Sequence, residues 1–410
     1  MTELFNLKKI DDSIDEFIST LNFKPKTEII SIKEANKRIL ADKIVSKENV
    51  PQFNRSTMDG YAVKAKDTFG ASENLPAFLD LIGQVKMGKN TDINLKSQQA
   101  VKIATGAMVP KGADAVVMVE DTEETKNIVE VNKSISKGKN IVFIGDDVKK
   151  GSKILNAGHK LRPQDIGALA ALGITEIEVY KKINITIFST GDELINPEEK
   201  LDIGKIRDIN SYSIESLLKS EYTNIINKKI IPDNKEKLKS NIRKSLKESD
   251  LVLLSGGSSV GKKDLTTNVI NELGKPGVIV HGIAIKPGKP TILSVVKDKG
   301  IIGLPGHPVS ALVVAKKVIL PIIKRLIPFD NLKIKNELKA KLVKNVSSTR
   351  GREEYLRVRL KKENNEIKAY PITGSSSLIF TLVKADGLLK IPRGKEGLKK
   401  DSLIKIDLFD

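Results

Sequence analysis

The sequence predicts a multi-domain α/β protein whose main domain is a doubly wound, mostly parallel sheet. One local pattern, an apolar run followed by a loop rich in Gly, Ser or Pro, occurs at 183–193, 251–264 and 301–310. Helical patterns alternate with these runs between residues 181 and 328, which is typical of parallel strands joined by crossover helices. The 410 residues also exceed what one ordinary core accommodates.

A discontinuous helical linker domain is expected at residues 1–52 and 146–180. Residues 11–21 and 162–172 carry apolar side chains at helical spacing, and a glycine follows the second of these segments. Ser31 and Glu34 have the spacing of a capping box, which predicts that a second helix begins there.

The remaining chain divides into three expected domains. Residues 53–145 are assigned to an inserted β-rich domain, 181–328 to the α/β domain, and 329–410 to a small C-terminal β-barrel-like domain. The β assignments rest on short apolar or alternating runs, such as 115–119 and 355–360, that Gly and Pro separate.

The charge of the chain predicts an anionic partner. It carries 70 Lys and Arg against 51 Asp and Glu, a formal net charge of +19. Aromatic residues make up only 4%, Trp is absent, and the lysines are scattered rather than clustered. These features argue against a nucleic acid and favour a small substrate that bears phosphate.

The absence of cysteine excludes disulfides, thiolate catalysis and cysteine metal sites. No apolar run approaches the ~18 residues of a membrane span, and the first residues lack the layout of a signal peptide. We therefore expect a soluble cytoplasmic protein with no membrane partner.

Three loops are expected to converge on one crevice, because the carboxyl ends of parallel strands share one edge of an open sheet. The loop SGGSSVGKKD at 255–264 has small residues whose backbone N–H groups can form an anion nest at a helix start. A tight turn without a ligand is the alternative.

The loop at 255–264 departs from a Walker A motif, since Lys263 stands where a Mg²⁺-binding hydroxyl is required. It also fits a G-x-S-x-G elbow around Ser259, with Asp298 and His307 in a hydrolase order.

Carboxylates from several loops predict a Mg²⁺ site. Glu193 follows the first strand, Asp233 follows the apolar run at 230–232, and Asp264 ends the glycine loop. Magnesium binds one or two protein carboxylates together with substrate phosphate and water. Each of these residues alone also suits a helix cap or an exposed loop.

Two further loops carry candidate binding residues. Lys286 and Lys289 lie in IKPGKP (285–290), where Pro and Gly hold the backbone, an arrangement suited to a pyrophosphate or an oxyanion and also to a surface turn. His307 lies in a rigid PGHP loop (305–308), although a loop histidine alone is more often an ordinary polar residue.

Taken together, these segments resemble the molybdopterin molybdenumtransferase family, which includes the C-terminal domain of gephyrin. The matching motifs are PQFNRSTMDGYAV (51–63), IATGAMVPKGADAVVM (103–118), STGDEL (189–194), SGGSSVGKKD (255–264), IKPGKP (285–290), GLPGHPVS (303–310), GREEY (351–355) and ADGL (385–388). They occur in order over nearly the whole chain. The resemblance implies that adenylated molybdopterin and molybdate or tungstate are the substrates. It further implies Mg²⁺-assisted cleavage with release of AMP, and a homodimer whose subunits share sites.

The resemblance also implies roles for the matching residues. Asp59, Thr105, Glu193, Asp233 and Asp264 would be catalytic, the last three as metal ligands. Substrate would be bound by Ser189, Thr190, Gly191, Ser255, Gly256, Gly257, Ser258, Lys286, Lys289, Pro305, His307, Pro308, Arg352 and Ser376.

Departures from the family pattern limit this transfer of roles. His307 stands where many relatives carry Asn, Asp146 replaces a Glu, and Lys262 and Lys263 add charge beside Asp264. The alternatives are a scaffold that keeps the pterin pocket without turnover, and a P-loop or serine hydrolase.

Overall fold

The structure is a computed structural model that describes residues 7–220, 222–256, 263–328, 337–363 and 365–409, with only the backbone described at 263 and 264. Within these ranges the α-helices are α1 (Ile10–Leu21), α2 (Pro163–Ala171), α3 (Asn210–Leu218), α4 (Lys235–Ser245), α5 (Lys263–Leu273), α6 (Pro308–Val314), α7 (Leu320–Leu326) and α8 (Phe380–Val383). A π-helical segment, Ala315–Ile319, joins α6 to α7.

The strands of the first part of the chain are β1 (Thr27–Ser31), β2 (Ile44–Val45), β3 (Arg55–Ser56), β4 (Gly60–Val63), β5 (Ala77–Val85), β6 (Gln99–Ile103), β7 (Ala115–Met118), β8 (Thr122–Thr125), β9 (Ile128–Val131), β10 (Ile141–Val142), β11 (Lys153–Leu155) and β12 (Glu176–Tyr180).

The strands of the α/β region are β13 (Ile183–Thr190), β14 (Leu194–Ile195), β15 (Ile206–Arg207), β16 (Thr223–Ile231), β17 (Leu251–Gly256), β18 (Pro276–His281), β19 (Ile285–Lys286), β20 (Ile292–Val296) and β21 (Lys299–Leu304). Those of the C-terminal region are β22 (Glu337–Leu342), β23 (Val346–Ser347), β24 (Glu353–Glu363), β25 (Glu366–Pro371), β26 (Gly387–Ile391), β27 (Gly397–Leu398) and β28 (Leu403–Leu408).

The chain divides into two compact units. Unit 1 comprises Met1–Asp42, Ala157–Arg162 and Glu176–Asp410, and unit 2 comprises Lys43–Asn156 and Pro163–Thr175.

Unit 1 is built on a sheet of order β16-β13-β17-β21-β20-β18. Its first four strands are parallel, and β20 and β18 run antiparallel to their neighbours. Strand residues alternate between two cores because successive side chains point to opposite faces. Leu251 and Leu253 pack with α1, α3, α6 and α7, whereas Val252 and Leu254 pack with α4 and α5. Helices on both faces confirm the predicted doubly wound fold.

The C-terminal region of unit 1 forms a closed five-stranded barrel, in which β24, β25, β22, β28 and β26 pair in turn and β26 pairs again with β24. Its core contains Leu342, Val358 and Ile406. Strand β19, from the α/β region, adds to this barrel beside β24. The predicted barrel-like fold is therefore confirmed, and strand β24 carries part of the GREEY motif.

Unit 2 contains a six-stranded sheet of order β7-β4-β6-β5-β9-β8. Tyr61 and Val63 face one apolar core of this sheet, and Ala62 and Val116 face another. The short strands predicted at 115–119 and, in the barrel, at 355–360 are confirmed by β7 and β24.

The second helix predicted at Ser31 is wrong. Ser31 does act as a cap, since its hydroxyl accepts a bond from the Lys33 N–H, but the helix is a 3₁₀ turn of three residues, Ile32–Glu34. The preceding residues form β1, which pairs with β12, and Lys37 has a left-handed φ of 65°. The helical segment therefore lies between the end of β1 at Ser31 and the left-handed residue Lys37, and it contains only three residues.

No helix in the described ranges is long and apolar enough to cross a membrane.

Candidate active site

Strands β13, β17 and β21 end side by side at one edge of the unit 1 sheet. Ser189 pairs with Ser255, which in turn pairs with Leu304, and Thr190 pairs with Gly256. Because these neighbouring strands are parallel and their last residues pair with one another, the loops that follow them begin at the same edge of the sheet. The predicted convergence of the loops therefore holds for their described parts.

Two adjoining cavities open at this edge. The larger, here called the polar cavity, has a volume of about 580 Å³ and is lined by Thr190, Glu193, Asp233, Gly256, Pro287, Gly288, Lys289, Pro290, Pro305, Gly306, His307, Ser310 and Ser376. The smaller, here called the side cavity, has a volume of about 310 Å³ and is lined by Ser189, Thr190, Glu193, Leu194, Ile206, Arg207, Asp208, Ile209, Asn210, Ser255, Gly256, Gly306, His307, Pro308 and Ser377. Both volumes lie within or near the range of small-molecule sites.

Glycine at two strand ends lets the backbone approach closely. Gly256 has a φ of +106°, and a Cβ there would lie 2.4 Å from the Thr190 carbonyl oxygen. At Gly191, with a φ of +155°, a Cβ would lie 2.5 Å from a carboxylate oxygen of Glu193. At Gly256 both the backbone conformation and the fixed Thr190 carbonyl require glycine, whereas at Gly191 the Glu193 side chain could move and only the backbone conformation favours glycine.

Two buried hydroxyls at the end of β13 have no hydrogen-bond partner in the described part of the chain. They are Oγ of Ser189, which is 1% exposed, and Oγ1 of Thr190, which is 7% exposed. An unsatisfied buried polar group is costly, so such groups usually have a partner. Both residues line the side cavity and Thr190 also lines the polar cavity, so a polar ligand there could satisfy them.

Two of the three predicted metal ligands share a cavity. Glu193 and Asp233 both line the polar cavity, and the backbone N–H of Asp233 is held by the Asp192 carboxylate at 3.0 Å. Asp264 lies in the first turn of α5, and its side chain is outside the described residues. Among the residues described, no group of three or more His, Asp and Glu is placed to hold a metal.

The two predicted lysines occupy different environments. Lys289 lines the polar cavity together with the flanking Pro287 and Pro290. Lys286 is not a lining residue, and its Nζ donates to a carboxylate oxygen of Glu354 at 3.1 Å. The same oxygen accepts a bond from Ser348 Oγ at 2.6 Å. Because β19 pairs with β24, Lys286 reaches the barrel while Lys289 reaches the cavity.

His307 and Ser376 join the α/β region to the barrel region at the cavity wall. His307 Nδ1 and Ser376 Oγ lie 3.0 Å apart, and the Val309 N–H donates to the Ser376 carbonyl at 3.1 Å. Pro305 lines the polar cavity, and Pro308 is the first residue of α6. Arg352 is half-buried just before β24 and lines neither cavity.

Asp59 and Thr105 lie together in unit 2, where the Asp59 carboxylate accepts a bond from the Thr105 N–H at 2.7 Å. Both are exposed. Gly257 and Ser258, like Ser259, lie outside the described residues.

The hydrolase order Ser259, Asp298, His307 is excluded by topology. Asp298 is in the turn between β20 and β21, before β21 begins, whereas His307 follows the other end of β21. A strand of six residues spans about 20 Å. Asp298 therefore cannot orient His307.

Asn210 is a site residue that the sequence reasoning missed. It begins α3, is 9% exposed, and its Nδ2 donates both to Ser255 Oγ at 2.8 Å and to the Gly306 carbonyl at 2.7 Å. It therefore links the ends of two strands. Its signal in the sequence was weak: Asn210 is a polar residue near Asp208 at the start of a helical pattern, and ordinary helix caps have the same pattern.

The fold and the cavities define a multi-domain α/β protein with two polar cavities at the carboxyl ends of its parallel strands. Three family models match the chain: MoeA N-terminal region (domain I and II) at residues 7–173, probable molybdopterin binding domain at 186–325, and MoeA C-terminal region (domain IV) at 339–409.

Whole-chain relatives agree with these models. A Methanocaldococcus jannaschii protein named for molybdopterin biosynthesis is 38% identical, over 99% of this chain and 98% of its own length. The Haemophilus influenzae molybdopterin molybdenumtransferase is 32% identical, over 98% of each. A crystal structure of the molybdopterin biosynthesis MoeA protein from Pyrococcus horikoshii is 34% identical with a TM-score of 0.86, and covers 99% of this chain and 100% of that one. The chain therefore belongs to the molybdopterin molybdenumtransferase family, which confirms the resemblance found in the sequence motifs.

Proposed function

We propose that the chain is a molybdopterin molybdenumtransferase that cleaves adenylated molybdopterin and inserts molybdate or tungstate into its dithiolene, with release of AMP. The observation that carries this proposal is the polar cavity, which brings Lys289, the Thr190 hydroxyl and two carboxylates together at the strand ends. Membership of the family supports the same reaction.

The residues present suit a negatively charged substrate. The ammonium group of Lys289 would offset phosphate or oxyanion charge. The Ser189 and Thr190 hydroxyls, which have no partner in the described chain, would donate to ligand oxygens. The prolines on either side of Lys289, and Pro305 across the cavity, would limit rearrangement of the wall.

Glu193 and Asp233 fit a hard divalent cation, because Mg²⁺ needs only one or two protein carboxylates when phosphate and water complete its shell. We include Asp264 in the proposed ligand set on the strength of its motif. When bound, Mg²⁺ would neutralise charge on the phosphates.

We also propose that the active form is a homodimer in which Asp59 and Thr105 of one subunit complete the site of the other. The support is their hydrogen-bonded pairing on an exposed part of unit 2, together with the family motifs that contain them.

The reaction is tested by mixing protein, adenylated molybdopterin, Mg²⁺ and molybdate, and measuring AMP by chromatography. We expect AMP to form, and Glu193→Gln and Asp233→Asn to slow its release by about 100-fold or more, as is usual for loss of an electrostatic catalytic group. Glu120→Gln in unit 2 is the matched control and should retain the wild-type rate.

Two results would contradict the proposal. No AMP above a protein-free control would exclude turnover, and tight calorimetric binding without AMP would instead identify a pterin-binding scaffold. Wild-type rates in both carboxylate variants would show that Glu193 and Asp233 are not the metal ligands.

The preference between molybdate and tungstate is tested by measuring the melting temperature with each oxyanion in the presence of AMP and Mg²⁺. Ligand binding to the native state raises its apparent stability, so the oxyanion that binds more tightly should give the larger increase.

A further inference from the structure

The loop between β25 and α8, residues 372–379, forms one wall of the site and is here called the wall loop. Its Ser376 lines the polar cavity and its Ser377 lines the side cavity. Ser376 contacts the α/β region through His307 and through the Val309 N–H. The position of this loop therefore sets the distance between the two sides of the cavity.

A buried arginine holds the wall loop from behind. Arg357, on barrel strand β24, is 6% exposed. Its guanidinium donates to the Gly374 carbonyl at 2.8 Å, to the Ser375 carbonyl at 3.4 Å and to Thr381 Oγ1 at 2.7 Å. Its own carbonyl accepts a bond from the Ile372 N–H at 2.9 Å. Arg357 thus bonds the start and the middle of the loop and the first turn of α8.

The acceptors around this guanidinium are all neutral among the residues described. Burial alone lowers the pKa of Arg357, without a compensating carboxylate. A buried charge opposed only by dipoles is costly, and an apolar side chain of similar size would often serve stability as well. The arginine is therefore explained better by the conformation it enforces than by the stability it adds.

We propose that Arg357 is a positioning residue, which fixes Ser376 at the distance required for an oxyanion in the polar cavity. This inference rests on the proposed function, because it assumes that an oxyanion binds there. Arginine suits the task because its planar fork presents several donors in fixed directions, whereas the single ammonium of lysine cannot reach all three acceptors in the same geometry.

The proposal is tested with Arg357→Lys and Arg357→Met, and with Arg359→Lys as the matched control. Arg359 lies two residues further along β24 and is exposed. Hydrogen exchange of peptides covering 372–381 reports on the loop directly. We expect faster exchange there in both Arg357 variants and no change in the control.

Affinity and turnover provide the second readout. In Arg357→Lys we expect the KM for molybdate to rise about tenfold while kcat changes by less than about threefold, since a displaced wall weakens binding before it removes reacting groups. Thr381→Val leaves Arg357 in place but removes two contacts that hold the wall loop, the guanidinium bond to Thr381 Oγ1 and the bond from that hydroxyl to the Leu378 carbonyl at 2.6 Å. It should shift the KM in the same direction. It also covers the case in which Arg357→Met does not fold.

Unchanged exchange at 372–381 and an unchanged KM in Arg357→Lys would overturn the proposal. So would equal effects in Arg359→Lys, which would mean that charge on β24, and not the loop contacts, is responsible. If the wild-type protein neither binds nor uses molybdate or tungstate, the proposed function fails, and the oxyanion role of Arg357 fails with it. The exchange data would then decide separately whether Arg357 holds the loop.

Discussion

The polar cavity of unit 1, which we propose as the ligand site, is smaller than a cavity in unit 2, and the two cavities differ in charge. The unit 2 cavity, here called the acidic cavity, has a volume of about 850 Å³ and is lined by Ala71, Ser72, Glu73, Asn74, Glu120, Asp121, Glu123, Glu130, Asn132 and Lys133. It has five carboxylates and one lysine, whereas the polar cavity has two carboxylates and one lysine. The excess of negative charge would repel the phosphate that we propose as a ligand of the polar cavity.

The two cavities also differ in how the chain builds them. The acidic cavity is lined by two stretches, 71–74 and 120–133, much of whose surface is exposed. The polar cavity collects residues from strand ends, from the Pro-rich loop and from the wall loop of the barrel region. It also contains the buried Thr190 hydroxyl, which has no partner in the described part of the chain and which a ligand oxygen could satisfy.

The largest effect is expected from Gly256→Ala, which tests the close packing of the strand ends. The added methyl group would meet the Thr190 carbonyl, and the positive φ adds strain of about 1–2 kcal/mol. We expect a marked fall in melting temperature and loss of the molybdate-induced shift.

The control for Gly256→Ala is Gly70→Ala, beside the acidic cavity. Gly70 also has a positive φ, +86°, but a Cβ there meets nothing within 4 Å. Only the backbone strain should appear, so its melting temperature should fall much less. Equal destabilisation of the two variants would show that the close approach at Gly256 does not matter.

Asn210→Asp is expected to have an intermediate effect, because it replaces the amide that links two strand ends. The change removes the bond to the Gly306 carbonyl and brings a carboxylate against that carbonyl in a buried position, whereas the Ser255 hydroxyl can turn and donate to the new carboxylate. We expect a loss of about 2–3 kcal/mol in the free energy of unfolding, measured by denaturant titration.

Asn74→Asp is the counterpart at the acidic cavity, where the side chain is exposed. Surface substitutions of this kind usually change stability by about 0.5 kcal/mol or less. If Asn210→Asp were equally mild, its link between the strands would be unimportant for stability.

Thr190→Val should have the smallest effect on stability and still weaken ligand binding. It removes a buried hydroxyl that lacks a partner in the described chain while keeping the shape of the side chain. We expect the free energy of unfolding to be unchanged or slightly higher. The free energy of molybdate binding should be less favourable by about 1 kcal/mol, a typical value for one hydrogen bond. Titration calorimetry measures the second quantity.

Ser72→Ala, on the exposed rim of the acidic cavity, should change neither stability nor molybdate affinity. A clear loss of stability in Thr190→Val would mean that its hydroxyl already has a partner, and would weaken the case for a ligand there.

Much of the fold followed from local patterns. The strands β13, β17 and β21 and the doubly wound arrangement were predicted, because buried parallel strands form apolar runs that end at glycine or proline. The prediction of a second helix at Ser31 was wrong. A capping motif is a local pattern, and it does not reveal that the residues before it, β1, pair with the distant strand β12.

The site was predicted less completely than the fold. Glu193, Asp233, Lys289 and His307 were found from loops at strand ends, and the structure places them around one cavity. Lys286 shares a motif with Lys289 but pairs with Glu354, and nothing in the motif distinguishes the two lysines. Asn210, and Arg357 in the role we propose for it, were missed because their contacts are with residues distant in sequence.

The sequence by itself determined which loops carry glycine, lysine and carboxylate, and the order in which they follow their strands. It could do so because turn chemistry and apolar periodicity are local properties of the chain. Only the tertiary structure decided which of these side chains share a cavity. That choice depends on the register of β13, β17 and β21 and on the closure of the barrel, which brings Ser376 to His307 across 69 residues of chain.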